Sequence, residues 1–136
     1  MKVDGICHCG HITYEAEIDP DDVFLCHCTD CQTLTGSAFR LVVRVDEADY
    51  KQLTGEVKTY IKTAESGNLR AQTFCPECGT AIYATDAGDT DGPRFFGLRI
   101  ATARQRDFLP PKRHFWHRSA QPWITDLDGL EVVGQQ

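Results

Sequence analysis

FCPECGT, residues 74–80, is the stretch on which the fold turns. Two thiols separated by two residues turn toward one point, and a glycine just behind them permits the tight backbone turn this requires. Such a knuckle supplies half of a tetrahedral metal site. Cys75 and Cys78 therefore need two further ligands from elsewhere in the chain. Two other groups offer them: Cys7 and Cys9 in GICHCG (5–10), and Cys26, Cys28 and Cys31 in CHCTDC (26–31).

Seven thiolates exceed what one ion takes, whereas two zinc ions take them as four plus three. Joining 7/9 to 75/78 leaves 26, 28 and 31 as a local trio. Joining 28/31 to 75/78 leaves 7, 9 and 26, a less compact remainder. Spacing favours the first division without excluding the second. A zinc held by four thiolates is closed and structural, and one held by three keeps a position for water or substrate. The trio is expected where a loop enters a short helix, whose N-terminus would lower the thiol pKa values. An odd count rules out complete disulfide pairing within the chain. A thioredoxin-like redox pair would need a βαβ context that the flanks lack. At a rubredoxin-type iron site, a C-x-C half would be atypical.

Outward from the cysteines the chain reads as short strands between turns. ITYEAEI (12–18) alternates apolar and polar side chains, as a strand with one solvated face does. Residues 19–22 form an acidic turn, and VFL (23–25) leads into the trio. SAFRLVVRV (37–45) is β-branched and apolar and predicts a central strand. DEADYKQLTGE (46–56) predicts a short helix or an edge strand, and VKTYI (57–61), LRAQTF (69–74), TAIYAT (80–85) and RFFGLRI (94–100) predict further strands. AGDTDGP (87–93) is a loop by composition. Residues 101–109 predict a helical turn that Pro110 and Pro111 stop. The tail after them shows no clean period. A small, mostly β fold in a single domain, 1–136, follows.

The 136 residues are 41% hydrophobic and 25% charged, with a formal net charge of −6. That balance offers no basic stripe to a phosphate backbone, so no nucleic-acid partner is expected. No stretch approaches the roughly 18 apolar residues of a membrane span, so no membrane partner is expected either. Asp4 and Gly5 interrupt any leader-like apolar run, which makes the cytoplasm the expected location. In that reducing compartment clustered cysteines more often hold metal than form disulfides.

The three cysteine groups also resemble a known family, the glutathione-dependent formaldehyde-activating family, which includes centromere protein V-like domains. The family pattern is G-x-C-x-C-G, then C-H-C-x-x-C, then F-C-x-x-C-G-[ST], and it stands here as GICHCG, CHCTDC and FCPECGT. Pro111, His114 and Trp123 match a late proline, histidine and tryptophan. The resemblance implies a small zinc-stabilised β-tent, similar to the Mss4-like fold. It implies a structural zinc at Cys7, Cys9, Cys75 and Cys78, and a labile second zinc at Cys26, Cys28 and Cys31. It further implies a carbon–sulfur lyase that condenses formaldehyde with glutathione to S-(hydroxymethyl)glutathione. The chain departs from the family where many relatives carry a Gly-x-Leu-Asp-like stretch. Here the run is GLRIA (97–101), which places Arg99 and Ile100 there.

Further candidates surround the trio. His27 is placed to move a proton or hydrogen-bond a substrate, with Asp30 as a relay and Gln32 shaping the open position. His8 is expected to face solvent. Arg40 and Arg44 share a strand face by even spacing, and an arginine fork suits a glutathione carboxylate. His114, Trp116, His117 and Trp123 are candidates for lining a pocket, with core packing the more expected role for the tryptophans. The partners anticipated are a small thiol such as glutathione and a small aldehyde. The oligomeric state stays open, a homodimer included. The reading is of a zinc-dependent thiol–aldehyde enzyme. Its competitors are a non-catalytic zinc-binding interaction module and a thiol or redox sensor.

Overall fold

Alternation along residues 12–18 becomes alternation of depth. Ile12, Tyr14, Ala16 and Ile18 are buried, while the residues between them reach solvent to varying degree. The computed structural model describes residues 1–89 and 91–135. Thr90, inside the loop expected over 87–93, and Gln136 lie outside the described residues. The strands are β1 (Lys2–Ile6), β2 (Thr13–Glu17), β3 (Val23–Cys26), β4 (Arg40–Asp46), β5 (Tyr50–Thr54), β6 (Lys58–Thr63), β7 (Leu69–Phe74), β8 (Ala81–Asp86), β9 (Phe95–Arg99) and β10 (Arg113–Phe115). The α-helix among the described residues is α1 (Thr29–Thr35); short 3-10 turns supply the remaining helical structure. The structure is thus mostly β.

The strands form two sheets. β1, β2 and β5 make a three-stranded antiparallel sheet. The other seven run in the order β10-β3-β4-β9-β8-β7-β6, antiparallel except for the β10–β3 pair. One apolar cluster joins them. It takes Val3, Tyr14 and Ala16 from the small sheet and Val23, Val43, Val45, Ile82 and Leu98 from the large one. Each fully buried Val, Ile or Leu among them contributes roughly 1.5–3 kcal/mol. Side chains alternate between strand faces, so Phe24, Cys26, Arg40, Val42, Arg44, Gly97 and Arg99 lie on the other face of the large sheet, away from this core.

Two expectations need revision. DEADYKQLTGE is neither helix nor strand alone, since a 3-10 turn at Glu47–Asp49 feeds the edge strand β5. The aperiodic tail contributes β10, whose three residues pair in parallel with β3. The expected stop at Pro110–Pro111 holds, preceded by 3-10 turns at Ile100–Thr102 and Arg106–Phe108.

Tyr14 and Gly5 bind the small sheet to the segment after β9. Gly5 faces Tyr14 across the β1–β2 pair and forms a β-bridge with Ala103. The Tyr14 hydroxyl lies 2.8 Å from Thr102 Oγ1, and Gln105 Nε2 donates to Asp4 Oδ1 at 2.7 Å. A Cβ at Gly5 would lie 2.1 Å from the Tyr14 ring, so the first glycine of GICHCG is required by the ring packed on it. Gly5→Ala should therefore lower stability by about 1–3 kcal/mol in denaturant melts. Gly129→Ala, where nothing lies within 4 Å, should be near neutral. Equal melts for the two variants would contradict this packing.

Candidate metal centres

The loop after β1 and the loop after β7 bring four thiols together. Cys7 N–H donates to Ile12 O at 3.0 Å, and Ile12 N–H donates back to Cys7 Sγ at 3.2 Å. In the second loop Cys75 N–H donates to Thr80 O at 2.8 Å and Gly79 N–H to Cys75 O at 2.9 Å. Gly79 holds φ +77°, a conformation that side-chain-bearing residues rarely adopt. The Sγ atoms of Cys7, Cys9, Cys75 and Cys78 all lie within 4.8 Å of one another. Cys7–Cys9 is 3.7 Å and Cys9–Cys75 is 3.8 Å. A tetrahedron with Zn–S bonds of ~2.3 Å has S–S edges of about 3.8 Å, so the donor set fits zinc in chemistry and in size. Hydrogen bonding by the Thr80 side chain and backbone brings the Cys78 thiol down to about 5, while, against a backbone hydrogen bond from His11, burial and the neighbouring thiols push Cys9 up to about 12. Of the two divisions that spacing allowed, the structure assembles 7/9 with 75/78.

Cys26, Cys28 and Cys31 make the second cluster, also within 4.8 Å and half-buried. Cys26 ends β3. Cys28 is the N-cap of α1, its Sγ accepting from Cys31 N–H at 3.3 Å, so the loop does enter a short helix. The helix N-terminus does not lower all three thiols. Hydrogen bonding from Cys31 lowers Cys26, burial raises Cys28, and the Cys26 contact followed by burial raises Cys31. Crowding thus favours the charged form of Cys26 and disfavours that of Cys28 and Cys31. A cation among them removes that conflict and favours three thiolates.

His27 lies between Cys26 and Cys28, yet its ring sits on the other side of the backbone. It is fully buried, with Nε2 2.8 Å from His114 Nδ1 and with Phe39 and His117 at its edges. Burial first, then the two neighbouring imidazoles, lowers its pKa and keeps it neutral. Gln32 is a tie: Nε2 donates to His27 O at 2.8 Å and to Ser119 O at 2.9 Å, while Oε1 accepts from Gln121 Nε2 at 2.8 Å. His27 N–H donates to Phe115 O at 2.9 Å. The tail thus fastens the backbone that carries the trio. Asp30 is exposed and paired with Lys62. His8 is exposed, as expected.

The two strand arginines differ in depth despite their shared face. Arg40, the register partner of Cys26, is 5% exposed. Arg44 is exposed and stacks over Phe95, its guanidinium carbon 3.7 Å from the ring centroid. Arg99 is 8% exposed and gives Nη2–H to Gln72 Oε1 at 2.8 Å. The Nε–H groups of Arg40 and Arg99 are buried without an acceptor, at a cost of about 1–3 kcal/mol each. Composition alone could not find the Arg99 site; its place depends on the β4–β9 register, which sets it opposite Val42. Trp116 and Trp123 do not pack in the core, since they are 46% and 51% exposed.

The two clusters should respond differently to mutation. A structural zinc contributes on the order of 10 kcal/mol to a small domain, comparable with total stability, so Cys75→Ala should leave the chain unfolded by circular dichroism. Cys28→Ala should stay folded and lose about 1 kcal/mol with its helix cap. Matching melts for both variants would contradict the division into a closed and an open centre.

No curated protein matches the chain. Among solved structures, the crystal structure of a Rhodobacter sphaeroides protein aligns with a TM-score of 0.60 at 18% identity, covering 82% of this chain and 98% of that one. At that identity the likeness speaks for the fold alone. The model of the family described as glutathione-dependent formaldehyde-activating enzyme matches residues 2–119, which include all seven cysteines. The chain therefore belongs to the glutathione-dependent formaldehyde-activating enzyme family.

Proposed function

We propose that this chain is a zinc-dependent carbon–sulfur lyase that joins a glutathione-type thiol to a small aldehyde, as S-(hydroxymethyl)glutathione synthase does, and splits the adduct in reverse. The observation that carries this reading is the second cluster. Three thiols converge from one strand end and one helix start, and among the described residues no fourth cysteine accompanies them. Three thiolates leave a zinc one position for an incoming sulfur, whose pKa the metal would lower. Membership of the family supports the thiol–aldehyde class of reaction.

Each residue then has a part. Cys7, Cys9, Cys75 and Cys78 hold the structural ion of a single zinc-stapled domain of the β-tent, Mss4-like kind. Cys26, Cys28 and Cys31 hold the second ion. His27 acts as a positioning residue, because its ring meets His114 rather than the sulfurs, and Gln32 fixes the same backbone through the tail. Arg40 and Arg99 place positive charge beside the trio and favour a thiol entering as thiolate. In the forward reaction the sulfur lone pair forms a bond to the carbonyl carbon. The carbonyl π pair moves to oxygen, which takes up a proton equivalent to the one the thiol released. Thiols and formaldehyde add without help, so the residues serve chiefly to capture and orient. The proposed setting is the cytoplasm, where thiols stay reduced.

The reading makes a direct prediction. Metal analysis should find two zinc ions per chain. Glutathione should bind the wild type and accelerate formation of the formaldehyde adduct over buffer. Cys28→Ala should retain one ion and lose glutathione binding. A single tightly held ion in the wild type, or undiminished glutathione binding by Cys28→Ala, would contradict it.

A further inference from the structure

We propose that the cavity between α1 and the Cys75–Cys78 knuckle is a seat for a carboxylate-bearing ligand of the reaction, with Arg40 and Arg99 as the groups that hold the carboxylate. The inference rests on the reading of the trio as the reacting centre and adds the chemical class of what lies beside it.

The cavity has a volume of about 510 Å³. Its walls include Leu34, Thr35, Thr80 and Ala101, and Arg40 and Arg99 also line it. Leu34 and Thr35 follow Cys31 by three and four residues on α1, which puts them on the helix face that carries the Cys31 sulfur. Arg40 lies beside Cys26 in the sheet register. Through Arg40 the cavity adjoins the strand pair that carries Cys26. A two-heavy-atom aldehyde has only about twice the volume of a water molecule, ~60 Å³, and would leave most of this space unused.

Both arginines are more than nine-tenths buried, and each Nε–H lacks an acceptor. The sulfurs of the trio do not supply one, and among the described residues no carboxylate pairs with either guanidinium. Two buried cations on neighbouring strands repel each other. Burial and then the nearby Arg40 bring Arg99 down to about 9, against the opposite pull of Cys31 and Cys26. One group answers all three conditions: an oxygen anion that accepts N–H bonds, carries negative charge and fits the fork of a guanidinium. Arg44 on the same sheet face shows the contrast, since it is exposed and stacked on Phe95. The carboxylate has two possible sources, the thiol substrate itself or an aldehyde that bears an acid group.

Calorimetric titration of the zinc-loaded full-length protein tests the seat. Butyrate and butyramide share size and shape and differ in charge. Butyrate should bind at least about tenfold more tightly. Arg99→Gln should weaken butyrate by about tenfold, and Arg44→Gln should leave it unchanged. If Arg99→Gln does not fold, the butyrate–butyramide comparison on the wild type decides. Equal binding of the two probes, or unchanged butyrate affinity in a folded Arg99→Gln protein, overturns the proposal. Displacement of butyrate by glutathione but not by its diethyl ester would assign the carboxylate to the thiol. Displacement by glyoxylate, with glutathione bound alongside, would assign it to the aldehyde. Displacement by neither overturns the seat as part of this reaction. The trio is read separately, through its zinc content and its thiol binding, so a failed seat leaves those results standing.

Discussion

The convergence of four sulfurs within 4.8 Å of one another is the constraint on which the remainder of the structure depends. Cys7 and Cys9 follow the first strand of the small sheet, and Cys75 and Cys78 follow a strand near the far edge of the large one. Four thiolates this close repel one another unless a cation lies among them. With the cation, the loops become a staple that fixes one sheet against the other. A chain of this size gains much from such a staple. Gly5 and Tyr14 continue the same junction through Thr102 and Ala103.

The second cluster is built by different means. No distant loop completes it. The trio comes from one stretch, and its backbone is held by the tail, through Phe115, Ser119 and Gln121. It lies on the face of the large sheet turned away from the core, where the register also delivers Arg40 and Arg99. The closed cluster is thus a joint between sheets. The trio lies beside Arg40, which with Arg99 lines a cavity on that side of the sheet. Under the proposed function, this difference of surroundings is what assigns the first cluster a structural role and the second a chemical one.

Much of this was legible in the chain. Alternation over 12–18 follows from burying one face of a strand, and the structure has strands there and within RFFGLRI. The C-x-x-C-G turn and the local trio follow from how few backbone conformations bring thiols together. What escaped the sequence depends on long-range register or on depth. β10 has three exposed residues, and its pairing with β3 comes from a segment about ninety positions away in sequence, which no local period encodes. Parity correctly placed Arg40 and Arg44 on one face. It could not tell that one end of that strand is covered and the other open. His27 looked available beside two sulfurs, but an extended C-x-C turns the middle residue away from them. Arg99 stood out only as a departure from the family pattern, and its proximity to the trio needed two strand pairings to emerge.

X-ray absorption at the zinc edge of the fully loaded protein tests the central claim most directly, because it counts sulfurs around the metal. One closed and one open centre predict an average of about 3.5 sulfurs per ion, with a lighter atom completing the donor set of the second ion. Saturating glutathione should raise the average to about 4. An average of four sulfurs before any thiol is added, or no change when it is, would contradict the account.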